Sequence, residues 1–213
     1  MTVFGRSHSK LDRGLDAFER GEWKRARRVL EEAIQEDPRP SGFYHLGLLY
    51  WRGLGGARDK INAVHCFERA AEDGHSGAET AYGMALRSGA GVEKDVEKAR
   101  TLFRAAAGAG DREAMLQLAT MSEPDDARRW MLRASELGHA PAMLYLSDML
   151  MRNDPVEALS WLYCAVALSA DDAARKRGAA LAAEMSAAEI DAAQKAGRVY
   201  AKDIVQRARD GVR

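Results

Sequence analysis

Cysteine, proline and net charge are what this 213-residue chain has least of: two Cys, five Pro, and 32 Lys+Arg balanced by 32 Asp+Glu. Cys66 and Cys164 are too few and too far apart for a disulfide framework or a metal knuckle, and helical periodicity puts both on buried faces as reduced core thiols. Balanced charge creates no global field to gather polyanions, so the composition argues against a protein built to neutralise phosphates. Long apolar runs are missing too. The longest, residues 158–170, is interrupted by serines and too short to span a bilayer. The N-terminus turns charged at Arg6 and Lys10 before an apolar core can build, so no secretory signal is expected and the chain reads as cytoplasmic. Alanine is abundant, with 39 residues. Ala loses least entropy in a helix, and an Ala-rich, Pro-poor chain with few β-branched residues is expected to be all-α.

The chain repeats itself. Sliding the segment from Ser41 onto that from Gly77 superposes Gly47 on Gly83, Gly53 on Gly89, Gly55 on Gly91, Asp59 on Asp95, Ala63 on Ala99, Phe67 on Phe103 and Gly74 on Gly110, at a constant offset of 36. Two shorter copies follow, in which Trp130, Ala134 and Gly138 repeat Leu102, Ala106 and Gly110, and Trp161 with Ala165 repeats the first two again. Each copy reads as two helices. Val96, Ala99, Leu102, Phe103, Ala106 and Ala107 form one apolar stripe of helical period, and the following glycine marks an αL stop. A lone hairpin of this kind exposes apolar faces, so stability requires stacked neighbours. Ser186 with Glu189 forms a capping box that starts a long helix near Ala187, whose apolar side is expected to be Ile190, Ala193, Val199, Ile204 and Val205, and Asp154-Pro155 starts another.

In the best copy, Tyr82, Gly83, Gly89, Gly91, Val92, Asp95, Lys98, Ala99, Ala106, Ala107 and Gly110 closely resemble the Sel-one-like repeat, a relative of the tetratricopeptide repeat. Upstream, Gly14, Trp23, Ala26, Leu30, Ala33 and Pro38 resemble an ordinary tetratricopeptide unit. The resemblance implies a right-handed all-α solenoid of antiparallel helix pairs. Its expected parts are a flexible segment 1–8, a tetratricopeptide-like pair 9–39, full repeats 40–75 and 76–111, shortened repeats 112–139 and 140–169, and capping helices over 170–213. The third and fourth copies replace the Gly-x-Gly-Val loop with Ser122-Glu-Pro-Asp and Arg152-Asn-Asp-Pro, which predicts tighter hairpins there.

Motifs that could carry chemistry have plainer explanations. The glycine-rich runs at Gly53 and Gly89 follow helices and lack the Gly-Lys-Ser/Thr of a phosphate loop. His65 and Cys66 are adjacent on a helix, point about 100° apart and cannot meet as base and nucleophile. His75 and His139 occupy one repeat position, so recurrence explains them without a metal. The basic clusters Lys24–Arg28 and Arg175–Arg177 read as solvated helix faces, without the basic surplus or aromatic platforms of a nucleic-acid binder. No catalytic residue, cofactor or metal is assigned.

The resemblance implies a non-catalytic adaptor or scaffold that binds a protein or peptide partner along a concave face lined by the first helix of each pair. Repeat alignment puts Phe18, Tyr44, Leu48, Trp51, Arg52, Met84, Arg87 and Met151 on that face. Aromatics and Arg combine large area with directional contacts, and Met adapts to varied partners. Trp51 is the expected anchor, Tyr44 and Phe18 its walls, and Arg52 and Arg87 clamps for an acidic group. Leu11, Leu48, Leu116 and Leu144 could equally pack between helices. A monomer is expected. The alternatives are a homo-oligomer that uses the face as a subunit interface, or a carbohydrate-active enzyme, which would need two carboxylates roughly 5 to 10 Å apart in a cleft.

Overall fold

A computed structural model of the chain describes residues 9–210; residues 1–8, expected as a flexible segment, and residues 211–213 lie outside the described residues. The fold is an all-α repeat solenoid, with twelve helices and no strand among the described residues. The chain divides into two compact units, Met1–Asp111 and Arg112–Arg213. The first contains α1 (Lys10–Glu19), α2 (Trp23–Glu36), α3 (Pro40–Arg52), α4 (Lys60–Glu72), α5 (Ser76–Ser88) and α6 (Val96–Gly108). The second contains α7 (Arg112–Ala119), α8 (Pro124–Glu136), α9 (Ala140–Leu150), α10 (Pro155–Ser169), α11 (Asp172–Ala182) and α12 (Ala187–Asp210).

Helix starts follow from local chemistry. Asp59, Asp95, Asp154 and Asp171 each accept a hydrogen bond from the backbone N–H three residues on, and so cap α4, α6, α10 and α11. Ser9 and Ser186 form capping boxes with Asp12 and Glu189 at α1 and α12. The hairpin between α3 and α4 spans seven residues, as does that between α5 and α6. The connections from α7 to α8 and from α9 to α10 span only four, so the shortened copies do turn more tightly.

Each pair closes where a small residue of its first helix lies under a large residue of its second. A Cβ added to Gly14 would lie 2.7 Å from Leu30 Cδ2, one at Gly47 2.6 Å from Phe67 Cε1, and one at Gly83 2.7 Å from Phe103 Cε1. The three large side chains are buried. In the same register the shortened repeats carry Ala119 with Met131 and Ser147 with Leu162, all buried. Where the first helix carries Ala or Ser, the aligned residue of the second is Met or Leu in place of the Phe of the full repeats, while the Gly14–Leu30 pair combines glycine with Leu.

The Gly-x-Gly loops link each repeat to the one before. Gly91 adopts φ +79°, and a Cβ there would lie 2.5 Å from the carbonyl oxygen of Lys60, the first residue of α4. Gly55 (φ +77°) rests in the same way on Trp23, the first residue of α2. Both a left-handed backbone and backbone-to-backbone approach require glycine here.

In the second unit, α12 docks along α10 at Gly197, where a Cβ would lie 2.7 Å from Ser160 O. One expectation is corrected here. Val199 and Val205, taken as part of the apolar side of α12, are 55% and 39% exposed. The inward stripe is instead Ile190, Ala193, Gly197, Tyr200 and Ile204, in which Gly197 sets the phase because only there can the two backbones meet.

Gly47→Ala should lower unfolding stability by about 1–3 kcal/mol through overpacking, and Phe67→Leu in the same chain should recover part of that loss. Ser147→Ala should be neutral or stabilising, because the buried Ser147 Oγ has no hydrogen-bond partner among the described residues. Urea unfolding of the three variants and the Gly47→Ala/Phe67→Leu double variant measures these differences.

Candidate partner-binding face

Seven of the eight residues expected on the binding face belong to the first unit. Their spacing of four and then three residues along α3 (Tyr44, Leu48, Trp51) places them on one helix face. Phe18, Tyr44, Leu48, Trp51 and Arg87 are half-buried, Arg52 is exposed, and Met84 is 39% exposed. Along α3 the aromatic and leucine side chains are thus half-buried with the Arg52 cation exposed at the helix end, and the Met84 thioether is exposed on α5. Of the four leucines that could pack between helices, Leu11 and Leu116 are buried, while Leu48 and Leu144 are half-buried.

Two histidines join the aromatic residues into a row. The Phe18 ring meets His45 edge-on at 4.8 Å, His45 meets Tyr44 edge-on at 5.2 Å, and Tyr44 stacks on His75 at 4.5 Å with an interplanar angle of 30°. The row runs from α1 across α3 to the start of α5. Trp51 leans on buried Phe67 at 6.1 Å, and Lys60 Nζ lies 5.5 Å above its ring. Sequence reasoning missed His45, although its place next to Tyr44 on a half-buried helix was readable. It also read His75 only as a recurring loop residue.

The row is electrostatically tuned. Burial, reinforced by Asp111, raises the Tyr44 hydroxyl above its ordinary range, while Arg52 opposes the shift. Burial and the like charge of Asp111 also raise the Glu79 carboxyl.

Met151 lies at the end of α9 in the second unit and is 37% exposed. There it lines a groove of about 530 Å³ with Arg152, Pro155, Arg177, Leu181 and Met185 among its walls. Tyr145 and Met149 on the same helix are also exposed, at 50% and 37%.

A second group of residues ties neighbouring helices together through tyrosine–carboxylate bonds. Tyr50 of α3 donates to Glu31 of α2 at 2.9 Å, and Arg27 binds the same carboxylate while its guanidinium lies 4.3 Å from the Tyr50 ring centre. Tyr82 of α5 donates to Glu68 of α4 at 2.6 Å and accepts from Lys98 at 2.9 Å. In the second unit, Tyr200 of α12 donates to Glu157 of α10 at 2.8 Å, the Trp161 indole N–H donates to the other oxygen, and the two rings stack at 4.6 Å. Burial and then the carboxylate push Tyr50 and Tyr200 each up to about 12.

Burial pushes the Cys66 thiol up to about 12 and Cys164 up to about 11, so neither is a thiolate at neutral pH. Among the described residues, no group of three or more His, Cys, Asp or Glu side chains is placed to hold a metal ion. No helix among them is long and apolar enough to cross a membrane.

Within each unit, helix pairs that carry small residues at their crossings, joined to a neighbouring helix by the bonds of Tyr50, Tyr82 or Tyr200, define a helical-repeat protein. The Sel1 repeat profile matches residues 44–75, 76–111, 113–139 and 140–169, more than half of the sequence, and the chain belongs to the Sel1 repeat family. Such repeats are generally protein-interaction modules. A search of curated proteins finds no match. Among solved structures, the chain is similar to a Sel1 repeat protein from Oxalobacter formigenes, at 21% identity over 89% of this chain and 82% of that one, with a TM-score of 0.71. It is also similar to a protective antigen with an SLR fold from uropathogenic Escherichia coli strains, at 18% identity, 93% and 54% coverage and a TM-score of 0.56. An immunity protein from Pseudomonas aeruginosa matches at 16% identity, 91% and 81% coverage and a TM-score of 0.55. At these identities the likenesses speak for the fold alone.

The raised tyrosines predict alkaline lability. A tyrosine with a folded value near 12 against the ordinary 10 favours its neutral form in the fold, so its contribution is intact below pH 10 and is lost as pH rises toward 12. Tyr50→Phe and Tyr200→Phe should each flatten the fall in melting temperature over that interval, read by circular dichroism. Both thiols should resist an aromatic disulfide reagent at pH 8 until denaturant is added, read by absorbance.

Proposed function

We propose that the protein is a non-catalytic adaptor that holds a peptide or protein segment on the first-helix face of its N-terminal unit. The observation that carries this reading is the pairing of half-buried Tyr44, Leu48 and Trp51 with exposed Arg52 and Met84. Buried aromatic area supplies affinity in such an arrangement, and a cation at the rim orients an acidic or carboxylate group on the partner. The aromatic row through His45 and His75 holds the walls in place, which lowers the entropy lost on binding. In this reading the pair over residues 9–39 and the segment 170–213 close the two ends of the Sel1 repeats, and Met151 belongs to a separate contact on the second unit.

Affinity capture with quantitative mass spectrometry tests the assignment by comparing the wild type with Arg52→Glu/Met84→Ala. Both residues are exposed, so the double variant should keep its helicity and melting temperature. Proteins retained specifically by the wild type should bind the variant at least about tenfold more weakly, a loss of roughly 1.4 kcal/mol. Affinities within about twofold of each other would remove this face from consideration. Light scattering on both samples separates the homo-oligomer reading, which requires a concentration-dependent dimer that the variant dissolves.

A further inference from the structure

We propose that His75 is an acid-sensitive latch within the N-terminal unit: neutral, it caps α5 through Nδ1 and braces the Tyr44 ring, and protonation releases the cap. The inference concerns the joint between the first two Sel1 repeats and stands whether or not the neighbouring face binds a partner.

The geometry fixes the tautomer. His75 is the N-cap of α5, and its Nδ1 accepts from the Ala78 backbone N–H at 3.2 Å, an N–H shared with the His75 carbonyl oxygen at 2.9 Å. An Nδ1 that accepts leaves the ring proton on Nε2. The same ring stacks on Tyr44 at 4.5 Å, and a Cβ at Gly77 would lie 3.1 Å from Tyr44 Cζ, so the start of α5 sits directly against α3. Nδ1 has no second lone pair in the ring plane. Once protonated it becomes a donor facing a donor, and it places positive charge at the positive end of the helix. Cap loss and charge repulsion therefore act in the same direction.

The charged and titratable groups around the ring come from α3, α5 and the turn after α6. Tyr44 and His45 face it from α3, with His45 Nδ1 2.7 Å from Ser41 O. Glu79 lies one turn along α5, and Asp111 follows α6. Burial and, to a lesser degree, the His45 charge hold His75 below the ordinary histidine value, while a hydrogen bond to its own backbone and then Asp111 pull the other way. A lowered folded value means the latch is closed above about pH 6.5, the unperturbed value, and opens as pH falls through the folded one. His139 occupies the same repeat position before α9, yet its side chain makes no capping bond and lies 3.7 Å from Glu113. The repeat position alone therefore does not make the device. Nδ1 must point along α5.

The experiment compares the full chain with His75→Asn, which keeps a good N-cap acceptor that cannot take a proton. Imidazole and Ala78 amide shifts are followed by NMR from pH 8 to 5, and melting temperature is read by circular dichroism at pH 7.5 and 5. The expected result is a His75 titration below 6.5 that the Ala78 amide tracks. The wild type should also lose about 2–4 °C more than His75→Asn on acidification, the scale of one stability increment in a chain of this size. A His75 titration at or above 6.5, an Ala78 amide that ignores it, or equal melting losses in both proteins would each overturn the latch. Subtracting the His75→Asn curve removes the contributions of the other four histidines.

Discussion

Every pair in this fold depends on how closely two helices can cross. Helix axes approach to about 8 Å only when a side chain at the crossing is nearly absent, and Gly14, Gly47 and Gly83 supply that absence beneath Leu30, Phe67 and Phe103. The close approach lets Phe67 and Phe103 fill the space that two larger residues would have divided, and both are almost wholly buried. Apolar stripes, caps and loops come into register only once the crossing is set. Where the chain departs from glycine, at Ala119 and Ser147, the opposing residue changes to Met131 and Leu162. The constraint is a small residue at the crossing rather than glycine itself.

Stacking then rests on two kinds of polar or backbone contact in addition to apolar burial. The second glycine of each Gly-x-Gly loop lies against the first residue of the preceding repeat's second helix, at Trp23 and Lys60. Tyrosine–carboxylate bonds at Tyr50, Tyr82 and Tyr200 are directional and set the rotation of one helix about its neighbour, which apolar contacts leave loose. The shortened repeats lack the glycine loop. In the second unit a single 24-residue helix, α12, instead docks lengthwise on α10 through Gly197.

The same economy governs the candidate face. Tyr44 and Trp51 lean on Phe67, the residue that closes their own repeat, so the candidate face is the outer side of the core. A face built in this way is stiff at its aromatic floor and adaptable at Arg52 and Met84. His75 joins the two helices, capping α5 and stacking on the Tyr44 ring of α3.

Much of this was determined by the sequence alone. A 36-residue offset carrying glycine, aspartate and alanine in fixed positions defines helix pairs, and Asp at the caps and Gly after the stripes mark the ends, because helix boundaries are set by residues close in the chain. The capping box at Ser186 was legible for the same reason. What only the tertiary structure decided lies between repeats. Gly197, and not the nearby valines, sets the phase of α12; Glu31, Glu68 and Glu157 receive tyrosine bonds from neighbouring helices; and His45 completes the aromatic row. These partners are up to 43 residues apart in sequence. Helical periodicity gives the face on which a residue stands, but not the residue of another helix that meets it there. That depends on the crossing angle and axial offset of two packed helices, which are properties of the assembled core.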